Sequence, residues 1–210
     1  MIGQTLTDQP LHVVVASRNP GKAAELRRLL RGVSWRLLEL DQAPGGHAVA
    51  WVEDGATYLA NATIKAEAVA AGTGLPALAD DSGLEVGALG GWPGLQTARW
   101  MGEGATPDQL LRGLVERISA LSPGRRRATF VCALALVIPP DHGPDAGLFV
   151  TESRLDGTLV TEPRGRGGFG YDPIFIPHGE QRTMAEMSQA HKDEISHRAL
   201  AARQLLGQLR

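Results

Sequence analysis

The chain has a single cysteine, Cys132, which sits inside the apolar run ATFVCALALVI. One thiol cannot close an internal disulfide. No cysteine–histidine cluster with zinc-ligand spacing accompanies it, so Cys132 reads as core packing. No apolar stretch approaches the ~18 residues of a membrane-spanning helix, so no membrane partner is expected. Met1 to Pro10 is polar and lacks a basic start, so no signal peptide is expected and the chain reads as soluble and cytoplasmic. A dominant charge is lacking too: 21 Lys and Arg face 23 Asp and Glu, for a formal net charge of -2. A general nucleic-acid binder is usually basic, so nucleic acid is not the expected partner.

What is present is 210 residues, 43% hydrophobic and 21% charged, enough for one domain with a real core. Residues 1–10 read as a loose tail and 11–210 as the folded unit. Leu11–Ala16 is a continuous apolar run, which marks a buried strand. Pro20 opens a helix continued by Glu25, Leu26, Leu29 and Leu30. Val33–Leu40 reads as a strand, Thr57–Ala71 as a helix, and Pro76–Ala79 as a short strand that Ser82 and Gly83 then turn. Pro107–Leu121 is a helix, Ala128–Ile138 and Gly147–Leu155 are strands, and a last helix runs from about Asp193 to Leu209. The elements mix without strict alternation. The expected fold is therefore α/β, a mixed central sheet flanked by helices.

Five stretches carry chemistry. In SRNPGK, a loop runs from a strand into a helix N-terminus, where unpaired N–H groups and a partial positive charge suit phosphate. Gly21 allows close approach, Lys22 adds a charge and Asn19 an amide. This is not a Walker A loop, because Ala16 and Ala23 stand where that motif needs Gly and Ser or Thr. The stretch equally describes an ordinary turn with a solvated lysine. In LADDSG, Asp80 and Asp81 follow a strand, a common place for metal ligands and bases, although Asp-Asp-Ser-Gly is also good turn chemistry. In an extended chain the two carboxylates point to opposite faces and take different jobs.

Glu53 and Asp54 precede the helix that carries Lys65. A lysine on a helix is usually solvated, but Lys65 shares a face with Tyr58, Ala62 and Val69, a placement that would turn it inward toward a charge. Asn61 opens the sequon Asn-Ala-Thr, which is disregarded for want of a secretion signal. Gly165, Gly167 and Gly170 spell G-x-G-x-x-G, but the dinucleotide fingerprint must open a helix, and here Pro173 and a β-like run follow. That loop presents Phe169 and Tyr171, a ring pair able to stack on a base or to pack a hairpin corner. Lys192, His197 and Arg198 cluster near the terminal helix, where donors suit a ligand with acceptor oxygens. Taken together, two carboxylate sites, several cations, a phosphate-type loop and an aromatic glycine loop fit a nucleoside triphosphate held with a divalent metal.

The set and its order resemble the inosine triphosphate pyrophosphatase family, also called dITP/XTP pyrophosphatases. The matching stretches are SRNPGK, LADDSGLEVGALGGWPG, TARW, GGFGYDPIF, T-x-AEM and KDEISHR. They run from residue 13 to the C-terminus. The resemblance implies an elongated, two-lobed single domain with a central cleft, a homodimer, and Mg²⁺-dependent hydrolysis of deaminated purine triphosphates (ITP, dITP, XTP) to monophosphate and pyrophosphate. It implies Asp81 as general base and metal ligand, Glu53 as a second metal ligand, and Ser82 beside the substrate. Ser17, Arg18, Asn19, Pro20, Gly21 and Lys22 become the phosphate loop, with Lys65 a further substrate contact. Phe169, Gly170, Tyr171, Asp172, Lys192, His197 and Arg198 hold the base and sugar side. Ala60, Gln96 and His191 stand where that family usually has Glu, Tyr and Glu, which bears on fine preference and metal geometry.

Two other readings remain at this stage. One is a pyrophosphatase for modified pyrimidine triphosphates on a similar fold. The other is a nucleotide-binding module without catalysis, against which Asp80, Asp81 and Glu53 speak: a pure binder of a polyanion gains nothing from three acids beside the phosphates.

Overall fold

A computed structural model describes residues 10–209, so all of the expected N-terminal tail except Pro10 lies outside the described residues. One six-stranded sheet forms the centre, in the order β2-β1-β3-β4-β5-β6. β1 (Leu11–Ala16) is parallel to both β2 (Trp35–Leu38) and β3 (Ala77–Val86). From β3 onward the sheet is antiparallel, through β4 (Arg127–Ile138), β5 (Gly147–Leu159) and β6 (Phe175–Pro177). The mixed sheet is as the sequence leads one to expect.

Strand alternation sorts the core. Val14, Ala16, Ala77 and Ala79 pack with Ala62, Ala66 and Val69 of α2 (Tyr58–Thr73). Val13, Val15 and Leu78 face the other way, against Leu26 of α1 (Pro20–Leu29) and Ala201, Ala202 and Leu205 of α5 (His197–Gln208). A third cluster joins Leu84 and Phe130 to Leu110, Leu114 and Ile118 of α3 (Pro107–Ser119), with Ile174 and Phe175. Successive β3 residues therefore serve different neighbours, and this fixes where the two aspartates go.

The helix starts follow capping chemistry. Asn19 Oδ1 accepts from Gly21 and Lys22 N–H, with Pro20 in the first turn of α1. Thr57 caps α2 by accepting from Ala60 N–H, and Gly74 ends that helix at φ 69°. Thr106 and Gln109 close a capping box on α3.

Four expectations are corrected. β3 does not end at Ala79, and Ser82–Gly83 is not a turn: the strand runs on to Val86, paired throughout with β4. Gly83 is needed for close approach, since a Cβ there would lie 2.5 Å from Gly94 O and 2.6 Å from the Tyr58 hydroxyl. The C-terminal helix is two, α4 (Gln189–Ile195) and α5, broken at Ser196, whose hydroxyl caps α5 by accepting from Ala199 N–H. The strand expected over 33–40 is shorter and the one over 147–155 longer.

Candidate active site

The residues expected to hold substrate or metal line one cavity of about 720 Å³: the 17–22 loop, Glu53, Lys65, Asp80, Asp81, Ser82, residues 169–172, Lys192, His197 and Arg198; Asp54, Gly165 and Gly167 do not. The loop comes from the β1–α1 junction, the aspartates from β3, Lys65 from α2, and the donor group from α4 and α5.

The two aspartates point to opposite faces. Asp80 faces α1 and α5. Its Oδ1 lies 2.6 Å from Lys22 Nζ, and its Oδ2 accepts from Arg198 Nε at 2.9 Å and from the Cys132 thiol at 3.3 Å. Burial opposes the charge of Asp80, but Arg198, Lys22 and Lys65 outweigh it and hold the carboxyl well below the usual carboxylate range. Asp80 is a fixed anion. Asp81 faces α2, where Lys65 Nζ meets Oδ1 at 3.3 Å and Asn61 Nδ2 donates to Oδ2 at 3.2 Å. Here burial wins over Lys65 and Lys22, Asp80 and Glu53 add repulsion, and the proton affinity rises above that of an ordinary aspartate. A carboxylate so shifted is a better proton acceptor.

Lys65 Nζ also donates to Glu53 Oε1 at 2.9 Å, so Glu53 and Asp81 converge on one ammonium. Burial pushes Lys65 down, but Asp81, Asp80 and Glu53 more than restore it, so it stays charged. Glu53 is pushed up by burial but pulled further down by Lys65 and Arg99, whose Nη1 donates to Oε2 at 2.8 Å. Hard carboxylate oxygens from two elements, open to a cavity, fit a magnesium site that takes one or two protein carboxylates and completes its shell with water and phosphate oxygens. Among the described residues no group of three or more His, Cys, Asp or Glu is placed to hold an ion.

The phosphate-type loop differs from its expectation. The amides from Asn19 onward are already engaged: Asn19 N–H goes to Ser17 Oγ, Gly21 and Lys22 N–H to Asn19 Oδ1, and Ala23 N–H to Asn19 O. What it offers a phosphate is the Lys22 ammonium, the Asn19 amide nitrogen, the Ser17 hydroxyl and the α1 dipole. Arg18 stacks on Trp51, 4.4 Å from the ring centre, and donates to Val49 O at 3.2 Å.

The other group of lining residues is aromatic and cationic. Phe169 packs on Gly21, where a Cβ would lie 3.0 Å from its ring. Lys192 Nζ sits 5.0 Å and Arg198 Cζ 5.8 Å from the same ring centre. Asp172 accepts from Lys192 Nζ at 2.6 Å and from Phe169 N–H at 2.8 Å, fixing the loop, though burial leaves its own proton affinity raised despite Lys192. Gly170 ends the loop at φ 61°, a left-handed conformation that suits glycine. His197 stacks flat on Phe130, centroids 4.7 Å apart. Burial and Arg198 keep it neutral well below the ordinary histidine range, and its Nδ1 has no partner. Tyr171 packs the corner rather than standing free: its hydroxyl accepts from Trp100 Nε1 at 2.9 Å and donates to Thr97 O at 3.0 Å, and burial pushes it up to about 12.

Arg198 is less free than a ligand-reading donor would be. It is 1% exposed, with Nε on Asp80, Nη1 on Glu25 and Nη2 on Ser82 at 2.9 Å. Glu25 was not foreseen. It is buried, accepts from Ser196 at 3.3 Å, and lies 3.9 Å from Lys192. Its place three residues after Lys22, on the same helix face, was the available signal. Arg99 and Trp51 also line the cavity unforeseen. Gln96 Oε1 accepts from Arg99 Nε at 3.1 Å, and His191 Nε2 pairs with Glu180 at 2.6 Å, away from the lining.

With this geometry in place, comparison with known proteins is specific. The profile of the Ham1 family matches residues 13–208. A dITP/XTP pyrophosphatase of Frankia alni is 48% identical over 206 residues, 95% of this chain and 98% of that one. The dITP/XTP pyrophosphatase of Streptomyces avermitilis is 44% identical over 196 residues, 92% and 94% of the two chains. Among solved structures, a HAM1 protein from Coxiella burnetii superposes with a TM-score of 0.79 at 38% identity, over 95% of this chain and 98% of that one.

Proposed function

This chain belongs to the Ham1 family, and from that premise we propose that it hydrolyses deaminated purine nucleoside triphosphates, namely ITP, dITP and XTP, to the monophosphate and pyrophosphate. The observation that carries the reading is the meeting, in one cavity, of a cation–carboxylate group on β3, α1 and α2 with an aromatic–donor group on the 169–172 loop, α4 and α5.

Positioning and charge neutralisation dominate such reactions. Lys22, Lys65 and the α1 N-terminus offset the triphosphate charge. Asp81 is the general base: it orients a water and takes its proton as the oxygen attacks the α-phosphorus, and its raised proton affinity favours that transfer. Lys65 sits on the same carboxylate and neutralises charge as pyrophosphate leaves. Asp80 stays ionised and holds Lys22 in place. Mg²⁺ bound by Glu53 and Asp81 would supply further positive charge to the phosphate oxygens.

Base choice follows from donors. Hypoxanthine and xanthine present an acceptor oxygen at C6, where adenine presents an amino group. Lys192 and Arg198 can only donate, so an amino group facing them meets a donor with a donor. The neutral ring of His197 and the face of Phe169 complete a base-sized slot. A homodimer belongs to the same proposal and rests on the family resemblance. Among the described residues no helix is long and apolar enough to cross a membrane. A turnover screen over ITP, dITP, XTP, ATP, GTP and pyrimidine triphosphates, with Mg²⁺ and product identification, tests the reading; a preference for pyrimidines would replace it.

A further inference from the structure

Asn61 does not line the cavity, yet its side chain bonds Asp81 and the loop that carries Glu53. It is 1% exposed on the first turn of α2. Its Oδ1 accepts from Gly55 N–H at 2.9 Å, and its Nδ2 donates to Asp81 Oδ2 at 3.2 Å. The amide has only one workable orientation. Gly55 N–H can only donate, so the oxygen must face it, and the NH₂ is left for the carboxylate. Gly55 is shaped to this contact: a Cβ there would lie 2.7 Å from Asn61 Oδ1 and 2.8 Å from Ala60 Cβ. Gly55 in turn stands two residues from Glu53. One buried amide thus spans the loop of Glu53 and the strand of Asp81.

We infer that Asn61 is a positioning residue for the hydrolysis: its NH₂ fixes the rotation of the Asp81 carboxylate, so that the oxygen faces the attacking water at the right angle. The reasoning is geometric. Lys65 holds Oδ1 at 3.3 Å and Asn61 holds Oδ2 at 3.2 Å, one contact per oxygen, so the plane of the carboxylate is set from both sides. Lys65 has a second carboxylate to serve in Glu53, whereas the Asn61 NH₂ reaches Asp81 alone among its hydrogen-bond partners. Without Asn61 the carboxylate could turn about its bond toward the ammonium. Catalytic groups tolerate little misplacement, so the loss falls on kcat rather than on binding. The inference rests on Asp81 being the base.

Asn61→Asp keeps the acceptor for Gly55 N–H. That change, however, would set a second carboxylate against Asp81, so the variant used is Asn61→Leu, which keeps the volume and removes the donor toward Asp81 without adding a charge. With ITP and saturating Mg²⁺, kcat falls by about tenfold or more, the scale of one lost hydrogen bond to a charged group, while KM stays within about twofold. The same change made in the Asp81→Asn enzyme alters the residual kcat by less than about twofold, because the group it acts through is gone. Asn61→Ala follows the same pattern, and circular dichroism verifies the fold of each. Near-normal kcat in Asn61→Leu would show that the amide does not set the Asp81 carboxylate and would overturn the inference. So would an equal loss in both backgrounds. If Asp81→Asn itself keeps full turnover, the assignment of the base falls and this inference falls with it.

Discussion

Lys22 Nζ lies 2.6 Å from one oxygen of Asp80, and the other oxygen of that carboxylate takes Arg198 Nε at 2.9 Å. A single buried anion therefore holds the cation nearest the phosphate-type loop and the cation nearest the aromatic slot. Adjacent Asp81 has no such pair of cations and is buried at a cost. The two neighbours make opposite contributions to stability.

Asp80→Asn should destabilise the protein by about 3–5 kcal/mol in urea unfolding at neutral pH, as expected for breaking a buried ion pair from one side. The pH dependence has a definite sign. The folded carboxyl sits far below its unfolded value, so its contribution is complete above the usual carboxylate pKa of ~4 and is lost as the pH falls toward the folded value. The gap between parent and variant should close in acid.

Asp81→Asn should be at least as stable as the parent near pH 7. The folded carboxyl of Asp81 is raised, so its ionisation costs stability at neutral pH, and removing it relieves that cost. The same variant should lose kcat by at least about a hundredfold, the lower range for a general base. A destabilised variant with near-normal turnover would reverse both assignments.

The separation of these aspartates was legible in the sequence, because period two on a strand sends neighbours to opposite faces whatever the fold. The length of β3 was not. Ser82–Gly83 carries turn chemistry, but pairing with β4 and the crowding of Gly83 by Gly94, Tyr58 and Thr97 override it. Every residue drawn into the candidate site by its motif does line the cavity. What escaped was the set that supports them. Glu25 reads as one more polar position on an amphipathic helix, and its burial depends on Arg198, 173 residues away. Asn61 was hidden for the same reason: its partners Gly55 and Asp81 meet only in the folded chain. Ser196 carried a capping signal, three residues before Ala199, that an unbroken helical pattern concealed.

Base selection should separate from phosphate handling. Lys22→Ala should lower kcat/KM for ITP and ATP alike, since every nucleotide carries the phosphates. Arg198→Ala should cut ITP and XTP roughly ten- to a hundredfold more than it cuts ATP, the scale of one lost contact to a polar base edge, on top of a loss shared by all nucleotides through Asp80 and Lys22. Because Arg198 also joins Glu25 and Asp80, its loss should lower the melting temperature as well. Equal losses for ITP and ATP in Arg198→Ala would move that residue out of the base slot and into the ionic framework alone.

His197 should stay neutral through the physiological range. Burial and Arg198 depress its proton affinity well below that of a free histidine. Titration followed by NMR of its ring protons should show no protonation step between about pH 6 and 8, where an ordinary histidine begins to titrate. A step near the unperturbed value would mean that the ring is charged in the slot and reads the base as a donor only.

The central claim is that water, activated at Asp81, attacks the α-phosphorus. Hydrolysis of ITP in ¹⁸O-labelled water, with the products separated and weighed by mass spectrometry, tests it in one measurement. The account predicts IMP carrying the label and unlabelled pyrophosphate. Label in the pyrophosphate would place the attack at the β-phosphorus, and IDP with labelled orthophosphate would place it at the γ-phosphorus; either result would contradict it.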